Sequence, residues 1–305
     1  MVWLRRIGFF LLLNFTVMMM VSLIVSLFGI GPTMSAQGLN YGSLIAVCLI
    51  WGMAGSFISL LISRPMAKWT MGVKLVDPQT SHQDQQILLQ TVHRLARSAG
   101  IQKMPEVGIY ESPEVNAFAT GATKNRSLVA VSSGLLQRMD RPAVEGVLGH
   151  EISHIANGDM VTMTLLQGVV NAFVMALSRI IAFAIDNFLR SRDERGQGLG
   201  YFAQIILVMV LQTILFIPGS IVIAAFSRYR EYRADEGGAK LAGRGQMIGA
   251  LQSLQRVAAI NADPSIETPP AYAAFKITKS GASKFTEWFS SHPPLDQRIA
   301  RLQGR

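Results

Sequence analysis

The stretch Val147–Asp159, VLGHEISHIANGD, decides how this chain must be arranged. His150, Glu151 and His154 form the pattern H-E-x-x-H. On an α-helix, side chains four apart project from nearly the same side, so the two imidazoles can share one metal ion. Glu151 sits one step round the helix, within reach of a water on that metal. Val147, Leu148, Ile152 and Ile155 cover the opposite side and can seat the helix in a core. Two imidazole ligands and a carboxylate base are what a zinc hydrolase needs.

A surface helix with chance histidines is the plainer account of five residues. The helical setting argues against it. Asp140 can N-cap, Pro142 fits the first turn and Asn157-Gly158 can stop the helix. The motif lacks a third ligand, which the rest of the chain must supply.

The chain has 305 residues, enough for one or two domains. Half of them are hydrophobic and only 15% are charged, which is too apolar for an ordinary soluble domain and implies membrane segments. The net charge of +9 carries no basic stretch interleaved with aromatics, so nucleic acid is not an expected partner. Basic flanks beside a lipid bilayer explain the charge more simply. The single cysteine, Cys48, excludes a disulfide framework or a cysteine metal site within one chain.

Ile7–Ile30 is apolar, free of charge and long enough to cross a bilayer. It is too long for the apolar core of a signal peptide and reads as a retained span. Leu39–Ser63 is a second span, expected to end at Arg64-Pro65. Arg5, Arg6, Arg64, Lys68 and Lys74 lie at the outer flanks of the pair, and the loop between carries no charge. The positive-inside rule then places both ends of this hairpin in the cytoplasm. From Asp77 to Asp159 the composition turns globular, with a helix over Gln85–Ser98 and strands at Glu106–Tyr110, Glu114–Thr120 and Ser127–Val131. His82 and His93 show no ligand spacing and read as surface residues.

Val161–Ile185 and Tyr201–Phe226 are long enough to form a second hairpin, spanning or re-entrant, although Asn171, Arg179 and Pro218-Gly219 interrupt them. This hairpin leaves from the end of the H-E-x-x-H helix and returns at Ser227. Whatever follows is delivered back beside His150 and His154. There Glu231 and Asp235 stand four apart. A mixed-charge juxtamembrane face would explain them, but the first motif and the returning hairpin favour Glu231 as third ligand. Asp235 is then placed to accept a hydrogen bond from a ligand imidazole. The short offsets from Asp159 and Ser227 keep the site near the membrane interface.

The chain resembles the HtpX family of bacterial membrane metallopeptidases, related to the CAAX prenyl-protease branch. The resemblance rests on two N-terminal spans, Asn116–Gly121, His150–His154, Glu231–Asp235 and Ser291–Arg298, and covers nearly the whole chain. It implies an α+β, mainly helical membrane protein with four transmembrane helices and a zincin-like, gluzincin-type peptidase domain carrying a small sheet. Segments 1–66 and 161–226 would be the hairpins; 67–160 and 227–305 would form the peptidase domain. It further implies one Zn²⁺ per chain, held by His150, His154 and Glu231, with Glu151 catalytic and Asp235 behind the ligands. His292 would stand near the transition state, and Asn116, Ala117 and Phe118 would bind substrate. The expected role is cytoplasmic-face quality control in the bacterial inner membrane, on misfolded membrane proteins. A CAAX-like processing peptidase, a non-catalytic zinc scaffold and a metal transporter are the alternatives; Glu151 argues against a scaffold, and spans without acid or histidine in the first pair argue against a transporter.

Reporter fusions at Gln37 and Arg305 check the orientation. A cytoplasmic signal is expected at Arg305 and none at Gln37; a cytoplasmic signal at Gln37 overturns it.

Overall fold

A computed structural model describes residues 34–35, 38–192, 198–262 and 288–304. The expected span Ile7–Ile30 lies outside them. The chain divides into two compact units, one joining the chain up to Ser59 with Met163–Ile223, the other Leu60–Thr162 with Ala224 onward.

Among the described residues the first unit is helical, apart from a minimal antiparallel pair, β1 (Met34–Ser35) and β2 (Gly38–Leu39). Its helices are the apolar parts of α1 (Tyr41–Met71), α5 (Asp159–Arg192) and α6 (Gly200–Leu241). Among the described residues these three are long and apolar enough to cross a membrane. α1 and α5 touch backbone to backbone. A Cβ on Gly52 would stand 2.7 Å from the Gly168 carbonyl and 2.6 Å from the Ala172 nitrogen. Small residues allow such approach where lipid leaves no hydrophobic drive between helices. Phe173, Ile206 and Met209 face outward and are more than half exposed, as lipid-facing residues should be.

The sequence places the end of the second span at Arg64-Pro65, but α1 runs on to Met71. Arg64 and Lys68 on this extension both reach the Glu106 carboxylate, at 2.6 and 2.7 Å. Those contacts hold the helix past the proline. Burial alone would raise the Glu106 carboxyl, but hydrogen bonds from Lys68 and Arg64 outweigh it and hold it below its ordinary range. α6 likewise continues unbroken through Pro218.

The second unit contains a four-stranded mixed sheet in the order β3-β4-β6-β5, from Lys74–Leu75, Glu106–Tyr110, Arg126–Ser132 and Ala117–Thr123 respectively. β4 runs parallel to β6, while β3 and β5 pair antiparallel to their neighbours. Among the described residues its helices are α2 (Gln83–Ser98), α3 (Ser133–Arg138), α4 (Arg141–Asn157), α7 (Arg244–Ala262) and α8 (Leu295–Gln303), with the last turns of α6. Val92, Leu95 and Ala96 of α2, Val129 and Val131 of β6, and Leu148, Ile152 and Ile155 of α4 close one core, each at most 1% exposed. The apolar side of the H-E-x-x-H helix is therefore buried, as its pattern requires.

β5 begins at Ala117, later than the expected Glu114. Ser132 donates its hydroxyl to the Glu114 carbonyl at 2.6 Å and accepts the Asn116 N–H at 3.1 Å. Ser133 holds Ser112 from both sides in the same way. Side-chain hydrogen bonds thus satisfy this backbone where ladder bonds were expected, and the segment enters the sheet as a loop. His93 is half-buried, its Nε2 3.3 Å from the Pro105 carbonyl, and is not the surface residue expected; His82 is exposed.

Three glycines let α4 sit deep against α6 and α7. A Cβ on Gly146 would lie 2.4 Å from the Gln246 carbonyl oxygen, and one on Gly149 would lie 2.9 Å from the Ala242 Cβ. On Gly238 it would lie 2.9 Å from the His150 nitrogen. Backbone cannot yield at such distances without moving a helix. Gly146→Ala is expected to destabilise the protein by about 1–3 kcal/mol, read as an earlier unfolding midpoint; an unchanged midpoint would show that the crossing has slack.

Candidate metal centre

α4 starts and stops by local chemistry. The Asp140 carboxylate accepts the Ala143 N–H at 2.9 Å, Pro142 occupies the first turn, and Gly158 ends the helix at φ +72°. That left-handed conformation strains any side chain and ends the helix in one step. α5 therefore begins immediately, at Asp159, with its carboxylate beside the last turn of α4.

His150 and His154 present their Nε2 atoms 3.1 Å apart, with rings at 89° to each other. Glu231 enters from α6, with Oε2 3.4 Å from His150 Nε2 and Oε1 3.3 Å from His154 Nε2. One donor atom from each of the three lies within 4.8 Å of the others. Asp235, one turn along α6, lies with Oδ1 3.0 Å from His150 Nδ1. His154 Nδ1 is 2.6 Å from Asp159 Oδ2 and donates to it. A proton on each Nδ1 leaves both Nε2 lone pairs aimed at the same point.

Asp159 was not assigned a role from sequence, and neither was Arg298. Arg298 is 6% exposed and grips Asp235 with two hydrogen bonds, Nε to Oδ2 at 2.7 Å and Nη2 to Oδ1 at 2.6 Å. A planar guanidinium on a carboxylate is the strongest neutralising pair a protein builds. It docks α8 on α6, helped by Tyr232 donating to Gln297 and Arg301 to Glu236. The signal for Asp159 was its place just past the helix-stopping glycine. The signal for Arg298 was a lone cation on the apolar side of a C-terminal helix.

His292 lies above the cluster, with Nδ1 2.9 Å from Glu231 Oε2 and its side chain 65% exposed. Glu151 is half-buried on α4. Asn116 is exposed and its backbone bonds run to Ser132. β5 is the outer strand of the sheet, and alternation along it turns the backbone groups of Ala117 and Ala119 away from β6. Phe118 pairs inward, its ring 5.8 Å from that of Tyr110.

Among the described residues the charges of this cluster do not balance. Glu151, Asp159, Glu231 and Asp235 gather around the imidazoles, with Arg230 and Arg298 as the opposing guanidiniums. Two negative charges remain, which two imidazolium protons or one divalent cation would balance. The imidazoles show the pull. Burial disfavours the His154 imidazolium, but hydrogen bonds to Asp159 and Glu231 push it up to about 9. His150 is raised as well, against burial, by Asp235 and Glu231. Burial would raise Glu231, but His150, His154 and His292 hold it far below the usual carboxylate range. Glu231 Oε2 is buried and accepts no hydrogen bond of good geometry among the described residues, despite the nitrogens around it. Two neutral imidazoles and a carboxylate with an unused oxygen are the donor set that binds a borderline divalent metal. The residues present fit such an ion.

The comparisons with known proteins agree with this chemistry. The model for "Peptidase family M48" matches residues 82–305. A Protease HtpX of Shewanella oneidensis is 48% identical over 302 residues, covering 99% of this chain and all of that one. A Protease HtpX homolog of Albidiferax ferrireducens is 50% identical over 303 residues, 98% and 99% of the two chains. A Protease HtpX of Acinetobacter baumannii is 48% identical over 301 residues, 97% of each. Among solved structures, S. mikatae Ste24p superposes with a TM-score of 0.63 at 17% identity, over 98% of this chain and 64% of that one, a likeness of fold. Fold, apolar helices and relatives together define a membrane-bound metalloprotease. The chain belongs to peptidase family M48, and the resemblance to the HtpX proteases holds over nearly its full length.

Asp159→Asn is expected to keep the fold and lower metal affinity by about 10–100-fold, since the carboxylate that orients an imidazole contributes that much. Competition with a chelator measures it; an unchanged affinity would show that Asp159 does not govern His154.

Proposed function

We propose that this protein is a zinc-dependent endopeptidase of the gluzincin type, anchored in the bacterial inner membrane by two hairpins. In this reading its site faces the cytoplasm, and it hydrolyses peptide bonds of misfolded or damaged membrane proteins. The observation that carries the reading is the convergence of His150, His154 and Glu231 beside Glu151. These three residues would hold one Zn²⁺ per chain. When bound, zinc supplies a Lewis acid that polarises the scissile carbonyl and brings the pKa of a water down towards about 7.

The protein's own groups do the rest. Glu151 accepts the proton of the attacking water and returns it to the leaving amine. Asp235 and Asp159 hold the two imidazoles in one tautomer and orientation, and Arg298 holds Asp235. His292, whose Nδ1 lies 2.9 Å from Glu231 Oε2, would donate to the developing oxyanion in this reading. The open edge of β5 can receive an extended substrate as an added strand, through the backbone groups of Ala117 and Ala119. An edge strand reads backbone and not side chains, which suits a peptidase acting on unfolded segments of many sequences.

Zinc content and casein hydrolysis of the detergent-solubilised protein test this. His150→Ala, His154→Ala and Glu231→Ala are each expected to lose both metal and activity. Glu151→Gln is expected to keep the metal and lose activity by about 10²–10⁴-fold, the contribution of a positioned acid–base group. Stoichiometric zinc in Glu231→Ala protein would mean that the third ligand is another residue.

A further inference from the structure

Where α6 leaves its apolar stretch at Phe226, it carries a group of residues that the peptidase chemistry does not use. Tyr229 is 55% exposed, and the Arg233 guanidinium lies over its ring at 6.0 Å. Beside them stand Trp288, 57% exposed, and Phe289, 37% exposed. Arg228 joins the two segments, its Nη1 donating to the Trp288 carbonyl at 3.1 Å and to the Ser290 carbonyl at 2.8 Å. Ser290 in turn donates its hydroxyl to the His292 carbonyl at 2.7 Å. His292 reaches Glu231. A continuous set of contacts therefore runs from exposed aromatic rings to the histidine over the metal centre.

Three large exposed aromatics next to arginines are unusual on a face open to water. They are what the headgroup layer of a bilayer selects, because an aromatic ring with a polar edge and a guanidinium on an apolar stem both suit a boundary of oil and water. The position agrees. Along α6, Tyr229 lies about 4.5 Å beyond Phe226 at 1.5 Å per residue, while Arg233, about 10 Å beyond, reaches back on its long stem to lay its guanidinium over the Tyr229 ring. The interfacial layer on one side of a bilayer is about 5–8 Å deep. Trp288 and Phe289 are tied to the same level through Arg228. The extension of α1 repeats the composition, with Trp69 59% exposed six residues beyond Ser63 and next to Lys68.

We propose that Tyr229, Trp288 and Phe289, with Arg228 and Arg233, form a surface that binds the headgroup layer of the membrane and thereby holds His292 over Glu231. The inference rests on the peptidase reading for its consequence but not for the lipid contact. Trp288 is a positioning residue, acting on the site through the Arg228 clamp and Ser290. Anionic headgroups strengthen the contact through the arginines. A bilayer would then be part of the machinery, because seating the aromatic rings holds in place the segment that carries His292.

The test uses the full chain with Trp3, Trp51 and Trp69 replaced by Phe, in nanodiscs of phosphatidylcholine and phosphatidylglycerol. Lipids brominated near the headgroup or deep in the acyl chain report where Trp288 sits. Shallow bromine is expected to quench its fluorescence more than deep bromine. Hydrolysis of a soluble peptide is measured in parallel. Trp288→Ala with Phe289→Ala is expected to retain zinc and lose about tenfold in kcat with KM unchanged, part of what a positioned group contributes, and Trp288→Tyr with Phe289 intact is expected to restore it. Absence of quenching by either lipid overturns the proposal. So does protection of Trp288 by peptide in place of lipid, which would make it a wall of the substrate cleft. Quenching with unchanged kcat in the double variant overturns the link to His292. Shallow quenching in the Trp288-only protein, together with a wild-type protein that holds no zinc and cuts no peptide, would instead refute the peptidase reading and leave the lipid contact standing.

Discussion

The second unit is built around an excess of buried negative charge. Glu231 and Asp235 are each 2% exposed and Asp159 is 3% exposed. Carboxylates taken out of water are tolerable only when paired, hydrogen-bonded or bound to a cation. Arg298 neutralises Asp235, and the imidazoles stand between the remaining carboxylates. The hydrophobic core stabilises this arrangement, and the same field that draws protons onto His150 and His154 would draw a divalent metal. Protons and metal compete for one set of lone pairs, so the acidity of the site and its metal affinity are two faces of one electrostatic fact.

Such a cluster forms only if the helices carrying it come close enough. α4 and α6 do so because Gly149 and Gly238 remove the side chains that would hold them apart, and Gly146 does the same against α7. The helix crossing and the charge cluster are therefore one design. The first brings backbone close against backbone, and the second uses it to bring donor atoms from two helices within 4.8 Å of one another. α8 completes it by inserting Arg298 through the packing of Leu302 against Met247 and Leu251.

The sheet serves the same end. Its outer strand, β5, has one paired edge and one open edge beside α4, and the loop before it is pinned by Ser132 and Ser133. An unprotected edge is a liability for a soluble protein because it invites other chains to pair. In the peptidase reading proposed above, it would be the place where an unfolded chain is received. The headgroup surface inferred for Trp288 and Phe289 follows a related logic, in which an otherwise unfavourable exposure of apolar side chains marks a contact.

Much of this was legible in the amino-acid order, for local reasons. Residues four apart on a helix share a side, so His150 with His154 and Glu231 with Asp235 could be paired on paper. Asp140, Pro142 and Gly158 delimit α4 through bonds spanning three or four residues. Apolar runs declare spans by length alone. What needed tertiary structure was every choice made between segments distant in the chain. Asp159 meets His154 only because a single left-handed glycine ends α4 and lets the next residue turn its carboxylate to the imidazole. Arg298 meets Asp235 across 63 positions, and no local pattern says which carboxylate a C-terminal arginine will find. α1 passes Pro65 because Glu106, on a strand 41 residues further on, holds its far side. β5 starts late because serine hydroxyls on its neighbour outcompete the ladder. Sequence determines what a short stretch prefers; packing determines which of the available partners each buried charge receives, because only the folded chain decides what is near enough to neutralise it.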